Sequence, residues 1–127
     1  MADKEIKKTE VQEEEIVKPI VLRIPKRNEE YTLEFNRESV KFAERNGFVF
    51  DDVDRMPMSG LIDLFWYSFR WHHMRISREQ AERILFNDLK GFPEGMVERL
   101  GKLYGIPMKT LSQSEKDAKN CEVTVEM

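Results

Sequence analysis

Cysteine is almost absent from the 127-residue chain, which contains only Cys121. A single cysteine cannot form an internal disulfide, so the sequence is compatible with a reducing compartment. Long apolar runs are missing as well, because no segment approaches the ~20 consecutive apolar residues that span a bilayer, and the charged N-terminus has no signal-peptide core. We therefore expect a protein of the cytoplasm that does not enter the membrane.

The chain also lacks an excess of positive charge. Lysine and arginine total 21 residues against 24 aspartates and glutamates, which gives a net charge of −3. Because neutralising phosphates requires a basic face, this balance argues against a nucleic-acid partner. Predicted helices at 78–89 and 93–104 carry mixed charges on their outer faces, which is typical of solvated helices and not of a DNA-binding pair.

Signatures of catalysis and metal binding are also lacking. No serine lies in a nucleophile elbow, and no glycine-rich stretch resembles a phosphate loop. His72 and His73 are the only histidines, and adjacent residues of a helix point about 100° apart, so they cannot bind one metal ion together. The acidic stretch 51–54 lacks the central glycine and closing glutamate of a calcium loop. We expect no metal, no cofactor and no enzymatic activity.

The composition is that of a small globular domain with charged extensions. Hydrophobic residues make up 40% of the chain and charged residues 35%, which supplies enough apolar surface for one core. Residues 1–18 are dominated by lysine and glutamate and are predicted to form a disordered arm, and residues 112–127 a polar tail. Residues 19–111 are predicted to form a single, mainly helical domain.

The first predicted element of this domain is a β-hairpin at 20–35. Apolar and polar residues alternate on both sides of a gap that contains Pro25 and Asn28, which is the period of half-buried strands. The gap predicts a loop of about five or six residues. Because a two-stranded hairpin is marginal alone, its apolar face is expected to pack against a helix.

Local signals predict about four helices after the hairpin, so the expected fold class is mostly α. Asn36 is expected to cap the first helix, which Gly47 ends. Asp51 is expected to cap a single turn that Pro57 closes, since the residue before a proline avoids the helical region.

Two further helices are predicted towards the C-terminus. Ser77 and Gln80 have the spacing of a capping box and begin a helix that Gly91 ends. Pro93 is expected to open the last helix, where its missing amide costs nothing, and residues 105–107 to close it.

The most unusual helix is predicted over about Ser59–Met74. Five of the thirteen aromatic residues fall within Asp63–Met74, written DLFWYSFRWHHM. At about 100° per residue the apolar side chains occupy two opposite flanks, so the helix needs covering nearly all round. A domain of this size buries only about 60–65% of its unfolded surface, so part of this apolar surface is expected to stay exposed as a protein interface.

The predicted helix over Ser59–Met74 supplies the candidate partner-binding residues. They are Trp66, Tyr67, Arg70, Trp71 and Met74. For the two tryptophans, burial in the core and exposure at an interface remain alternatives. Methionines are expected to adapt to a partner's shape, and the candidates are Met56, Met58, Met74, Met96 and Met108.

Three runs of sequence carry a resemblance to a known family. They are YTLEFNRESVKFAERNGF, PMSGLIDLFWYSFRWHH and GFPEGMVERLGKLYGIPMKTL, which together cover about residues 31–111. In order and spacing they resemble the tail assembly chaperones of long-tailed bacteriophages and prophages of Gram-positive hosts.

The resemblance implies a small, largely helical protein that works in the cytoplasm of the bacterial host and leaves before the virion is mature. Such chaperones bind and shield the tape measure protein, help to recruit the major tail protein that forms the tube, and commonly form homo-oligomers. They have no catalytic residues. Two other functions stay open: a small adaptor or regulatory protein that binds one protein partner, and a structural component of the tail.

Overall fold

The computed structural model describes residues 16–127, except for the side chain of Ala118. Most of the predicted arm at 1–18 therefore lies outside the described residues. Within the part that is described, Ile16 is exposed and Val17 packs against the edge of the core.

The predicted hairpin is confirmed. Strands β1 (Ile20–Ile24) and β2 (Glu29–Leu33) pair antiparallel. Alternation places Ile20, Leu22 and Ile24 of β1 on one buried face, which Leu33 completes from β2, whereas Val21 is exposed. The loop is shorter than expected, with four residues between Ile24 and its partner Glu29, because a 3-10 turn follows β1 at once and Asn28 adopts a left-handed conformation (φ 52°).

Helix α1 (Arg37–Arg45) begins where its sequence predicts. The Asn36 side chain accepts a hydrogen bond from the Ser39 amide at 2.8 Å, and the Ser39 hydroxyl accepts one from the Asn36 amide at 2.9 Å. Gly47 follows the helix with a φ of 90°, which a residue without a side chain adopts at little cost. Both boundary predictions are therefore confirmed.

The next two helices meet at Met56. A single turn, α2 (Asp52–Arg55), is present, but the Asp51 side chain makes no capping hydrogen bond. Pro57 does not close this turn and instead occupies the first position of α3 (Pro57–Tyr67), where its missing amide costs nothing.

Helix α3 is shorter than predicted, so the expectation of one helix over Ser59–Met74 is wrong. Beyond Tyr67 the chain continues as tight turns, in which the amides of Phe69 and Arg70 bond to carbonyls three residues back. The fully buried Ser68 is the physical reason, because its hydroxyl donates to the Phe65 carbonyl at 2.5 Å and its own carbonyl accepts the Glu34 amide at 3.1 Å. Both bonds compete with a regular helical ladder.

Helix α4 (Arg78–Arg83) starts with the predicted capping box between Ser77 and Gln80. It continues as a π-helical segment at Ile84–Asp88, which the pattern of apolar residues does not predict. Gly91 follows with a φ of 110°, as expected for a residue that ends a helix.

Asp88 ties the π-helical segment to the hairpin loop. The Arg27 guanidinium donates two hydrogen bonds to its carboxylate, at 2.8 and 2.6 Å. These bonds lower the pKa of Asp88 below its ordinary value, so the pair favours the charged carboxylate and fixes the hairpin loop against the π-helical segment.

Helix α5 (Met96–Lys109) differs from its predicted bounds at both ends. Gly95, with a φ of 85°, precedes it, so Pro93 does not open it. Gly105 and Pro107 do not close it either: both lie inside the helix. Pro107 cannot donate a backbone hydrogen bond, but its ring is buried, and that burial offsets the loss.

The predicted polar tail contains a short helix, α6 (Glu115–Asn120), capped by the Ser114 hydroxyl, which accepts from the Asp117 amide. Every described side chain from residue 112 to the end of the chain is exposed.

The core lies between the hairpin and helices α1, α3, α4 and α5, and its central side chains are fully or almost fully enclosed. Tyr104 of α5 joins the parts, because its ring packs edge-on against Phe35 and Phe48 and stacks on Phe50. Burial, more than the neighbouring Glu44, raises the pKa of Tyr104 to about 12. The fold is mostly α with an N-terminal hairpin, as predicted.

Candidate partner-binding surface

The predicted partner-binding residues lie at the end of α3 and in the segment that follows it, Ser68–Met74, which we call the clasp. Two hydrogen bonds hold the clasp against β2 and the residue that follows it: the Thr32 amide donates to Nε2 of His73 at 2.9 Å, and the Glu34 amide donates to the Ser68 carbonyl. A third polar contact joins Nε2 of His72 to Oε1 of Glu34 at 2.8 Å. The clasp therefore covers the outer edge of β2 and is fixed by long-range contacts.

His73 serves the clasp as a neutral acceptor. Because Nε2 accepts the Thr32 amide, the ring proton must sit on Nδ1. Burial lowers the pKa of His73, and the neighbouring His72 lowers it further. The ring packs edge-on against Tyr31, with centroids 5.1 Å apart. These surroundings favour the uncharged form that the hydrogen bond requires.

Two of the five candidate residues are exposed apolar side chains of the clasp. Trp71 is 42% exposed and Met74 is 64% exposed. The indole of Trp71 stacks on the His72 ring with centroids 4.5 Å apart, so its orientation is partly fixed. The expectation that some apolar surface of this region stays uncovered is confirmed for these two residues.

Tyr67 does not belong to such a surface, and its selection as a partner-binding residue is wrong. It is only 2% exposed, because its ring packs against Phe42, Phe48 and Trp66. The helical wheel placed it on an outer flank because the sequence gives no sign that α1 and the connector after it lie over that flank.

Trp66 is half-buried and serves the fold more than the surface. Its Nε1 donates to the Ile76 carbonyl at 2.9 Å, and the Arg78 guanidinium lies 4.9 Å from the ring centroid. Arg78 also pairs with Asp63 on α3. Trp66 therefore fixes the segment before α4 against α3. Of the two alternatives for the tryptophans, Trp66 contributes mainly to the fold and Trp71 to the exposed surface.

Arg70 forms one wall of an open depression between α1 and the clasp. Its guanidinium lies 3.9 Å from the centroid of the Phe42 ring, a cation–π geometry. The depression has a volume of about 440 Å³, and we call it the α1–clasp groove. Its lining includes Phe42, Arg45, Asn46, Arg70, Trp71 and Met74.

The groove carries positive charge that nearby carboxylates do not neutralise. Within the described residues, no carboxylate oxygen lies within 4 Å of a side-chain nitrogen of Arg45 or Arg70. The one acidic residue of the lining, Glu38, pairs with Lys41 at 3.2 Å. The lining of the groove therefore combines apolar side chains with the positive charges of Arg45 and Arg70.

Sequence reasoning missed Phe42 and Arg45 as parts of this surface. The available signal was their spacing of three residues on α1, to one side of the buried stripe formed by Val40 and Ala43. Because a lone phenylalanine on a short helix is most simply assigned to the core, only the position of the clasp shows that it faces a groove.

A second exposed apolar area lies between α2, α3 and α5. Phe50 and Val97 are each 37% exposed there, beside the carboxylates of Asp51 and Asp54. Of the five methionines predicted to be adaptable, four are exposed. The exception is Met96, which is buried at the start of α5, so its assignment to a partner surface is wrong.

Clusters of metal-ligating side chains and membrane-spanning helices were sought in residues 16–127. No group of three or more histidine, cysteine, aspartate or glutamate side chains is placed there to hold a metal ion. No helix in the same range is long and apolar enough to cross a membrane.

These features define a small, mostly helical domain with an N-terminal hairpin and a partly exposed aromatic and methionine surface. The chain belongs to the family described as a domain of unknown function (DUF5055), whose profile matches residues 1–127. Neither the search of curated proteins nor the search of solved structures gave a significant match.

Proposed function

We propose that this protein is a non-enzymatic tail assembly chaperone of a bacteriophage or prophage, which binds and shields the tape measure protein during tail morphogenesis. The observation that carries the proposal is the exposure of Trp71 and Met74 beside Phe42 in the α1–clasp groove. The tape measure protein is proposed as the client because residues 31–111 resemble such chaperones.

The chemistry of the groove suits reversible binding. A methionine side chain is unbranched and adapts to different apolar surfaces, whereas a partly fixed tryptophan supplies contact area at a low entropic cost. Together they can cover apolar helices of a client without demanding one packing geometry. A chaperone needs this combination because its client must later be released.

The same proposal includes partners and location. The chaperone would help to recruit the major tail protein, would self-associate into a homo-oligomer, and would act in the cytoplasm of the bacterial host without remaining in the mature virion. The second exposed area, around Phe50 and Val97, offers surface for a contact separate from the groove.

Co-expression tests the proposal. A candidate tape measure protein is produced with and without this chain, and its soluble fraction is measured. We expect the chain to raise that fraction several-fold, and the double variant Trp71→Ala, Met74→Ala to lose most of the gain. Met58→Ala is the matched control, because Met58 is 74% exposed but does not line the groove.

Two results would redirect the conclusion. Unchanged solubility of the tape measure protein, together with tight binding of a single host or phage protein, would favour the alternative of a small adaptor or regulatory protein. Detection of the chain in purified virions would instead indicate a structural tail component.

A further inference from the structure

We infer that the α1–clasp groove selects an acidic amphipathic helix of its partner: an apolar stripe lies on the base of the groove and flanking carboxylates meet Arg45 and Arg70. This inference rests on the proposed chaperone function only for the source of the helix. The chemistry of the ligand follows from the groove itself.

The shape of the groove fits a short helical segment. One wall is α1, whose nine residues are about 13 Å long, and the other is the clasp. The apolar side chains of the lining are Phe42, Trp71 and Met74, which we call the floor. They can contact the apolar side chains of two to three helical turns, spaced at about i, i+4 and i+7.

Arg70 is held in a position suited to a carboxylate. Its guanidinium carbon lies over the Phe42 ring, 3.9 Å from the centroid, and this contact restricts the Arg70 rotamers before any partner arrives. Guanidinium groups bind carboxylates through paired hydrogen bonds, and preorganisation reduces the entropy lost when they form. Within residues 16–127 no carboxylate takes this role for Arg70, whereas Arg27 and Arg78 each meet an aspartate.

Arg45 places a second positive charge on the α1 side of the groove. The two arginines border the same apolar floor, so a helix lying on it can present acidic residues to both. A helix with lysines in those places would bring like charges together and leave them partly desolvated. Charge therefore favours acidic flanks over basic ones.

A second copy of the chain fits the groove less well. In a two-fold contact through this face the same lining would supply both sides, so two copies each of Arg45 and Arg70 would be brought together with only the two Glu38 carboxylates, which already pair with Lys41. A single-stranded nucleic acid could also stack on Trp71 and pair with arginines. The net charge of −3 and the methionine in the floor favour the peptide.

Fluorescence anisotropy of labelled peptides tests the inference on the full chain. Two peptides of about 18 residues share one leucine stripe and carry either glutamate or lysine at the flanking positions. We expect the glutamate peptide to bind at least tenfold more tightly than the lysine peptide. Raising the salt concentration should reduce this difference, since part of it is electrostatic.

Variants locate the site. Arg45→Glu and Arg70→Gln are each expected to weaken binding of the glutamate peptide by about tenfold, the range for losing a charged contact. Arg99→Glu is the matched control: it makes the same charge change as Arg45→Glu, on an exposed part of α5 outside the groove. Circular dichroism of each variant verifies the fold, and the surface position of Arg45 makes that variant informative even if Arg70→Gln unfolds.

Several outcomes would overturn the inference. Equal affinity for the two peptides would contradict it, and so would unchanged binding of the glutamate peptide by Arg45→Glu. A single-stranded oligonucleotide that outcompetes the glutamate peptide would indicate a nucleic-acid site. Self-association that Arg45→Glu abolishes would indicate that a second copy occupies the groove. If any of these results is obtained while the tape measure protein is still kept soluble, the inference of selectivity for acidic helices fails and the chaperone proposal stands. Selective peptide binding without any effect on the tape measure protein would instead sink the chaperone proposal.

Discussion

Gly60 shows how one residue determines the contact between neighbouring helices. It lies in α3, and a Cβ atom added there would be 2.8 Å from the Cα atom of Val53 in α2. Real Cβ atoms do not approach backbone this closely, so α2 can pack on α3 only when this position has no side chain. The glycine is required by packing, although a helix interior disfavours it.

We predict that Gly60→Ala destabilises the protein by about 1–3 kcal/mol, because the strain of overpacking exceeds the ~1 kcal/mol gained from helix propensity. Gly105→Ala is the control: it also lies inside a helix, but no atom lies within 4 Å of an added Cβ. That variant should be more stable than the wild type by about 0.5–1 kcal/mol. Urea denaturation measures the free energy of unfolding of both variants, and equal changes in the same direction would contradict the packing argument.

The two tryptophans should respond differently to the same substitution. Trp66→Ala removes a half-buried ring and a hydrogen bond to Ile76, and should cost about 2–4 kcal/mol of unfolding free energy. Trp71→Ala removes a ring that is 42% exposed and should cost less than about 1 kcal/mol. Denaturation followed by circular dichroism tests this; a larger loss for Trp71 would assign that ring to the core and weaken the proposed function.

At the scale of elements, the clasp depends on a histidine that must stay neutral. The Thr32 amide donates to Nε2 of His73, and a protonated imidazole has no acceptor to offer. The pKa of His73 is lowered in the folded state by burial and by His72, so unfolding at mildly acidic pH takes up protons. The stabilisation is present above the ordinary histidine pKa of about 6.5 and is lost as the pH falls below it.

We therefore predict that the free energy of unfolding decreases between pH 7.5 and 5.5, with an uptake of less than one proton per molecule. His73→Gln should remove most of this dependence, because a glutamine oxygen can accept the Thr32 amide at either pH. His72→Gln should retain most of it, because burial is the larger cause of the lowered pKa of His73. Chemical denaturation at several pH values gives the proton uptake, and a slope unchanged in His73→Gln would refute the role assigned to the clasp.

Element boundaries divide into those that the sequence reveals and those that it does not. The starts of α1 and α4 are predictable because each capping box is local, with both partners three residues apart. The end of α3 is not, because the Ser68 carbonyl bonds to an amide in the chain after β2. Similarly, Pro107 stays inside α5 because its ring is buried by tertiary contacts that no local pattern reports.

At the scale of the whole molecule, the domain is complete before the C-terminal tail begins. The last buried side chain is Pro107, and every described side chain from residue 112 onward is exposed. Thr110 still contributes, since its hydroxyl accepts a hydrogen bond from Nε of Arg37 at 2.9 Å.

We predict that removing residues 113–127 changes the free energy of unfolding by less than about 1 kcal/mol, because exposed segments bury little surface. A truncation that also removes 107–112 should be markedly less stable, since it deletes Pro107 and the bond to Thr110. Thermal unfolding of the two shortened chains provides the measurement. A large loss from the shorter deletion would show that α6 packs on the domain.

The fold class was predictable from the sequence, and the candidate surface only in part. Alternation identified the hairpin, and apolar periodicity identified the helical core. Trp71, Met74 and Arg70 followed from the excess of apolar surface, but Phe42 and Arg45 belong to a helix that only the tertiary fold brings against the clasp. Tyr67 was misassigned for the same reason, since its cover comes from residues distant in sequence.

The hydrogen bonds from Thr32 and Glu34 to the clasp also limit how these molecules can associate. Another chain that approached β2 would first have to displace His73 and Ser68, so among residues 16–127 the edge left for intermolecular strand pairing is that of β1. Two molecules joined through β1 would leave no free sheet edge for a third. Growth by edge addition would therefore stop at a pair, which disfavours polymerisation into fibres.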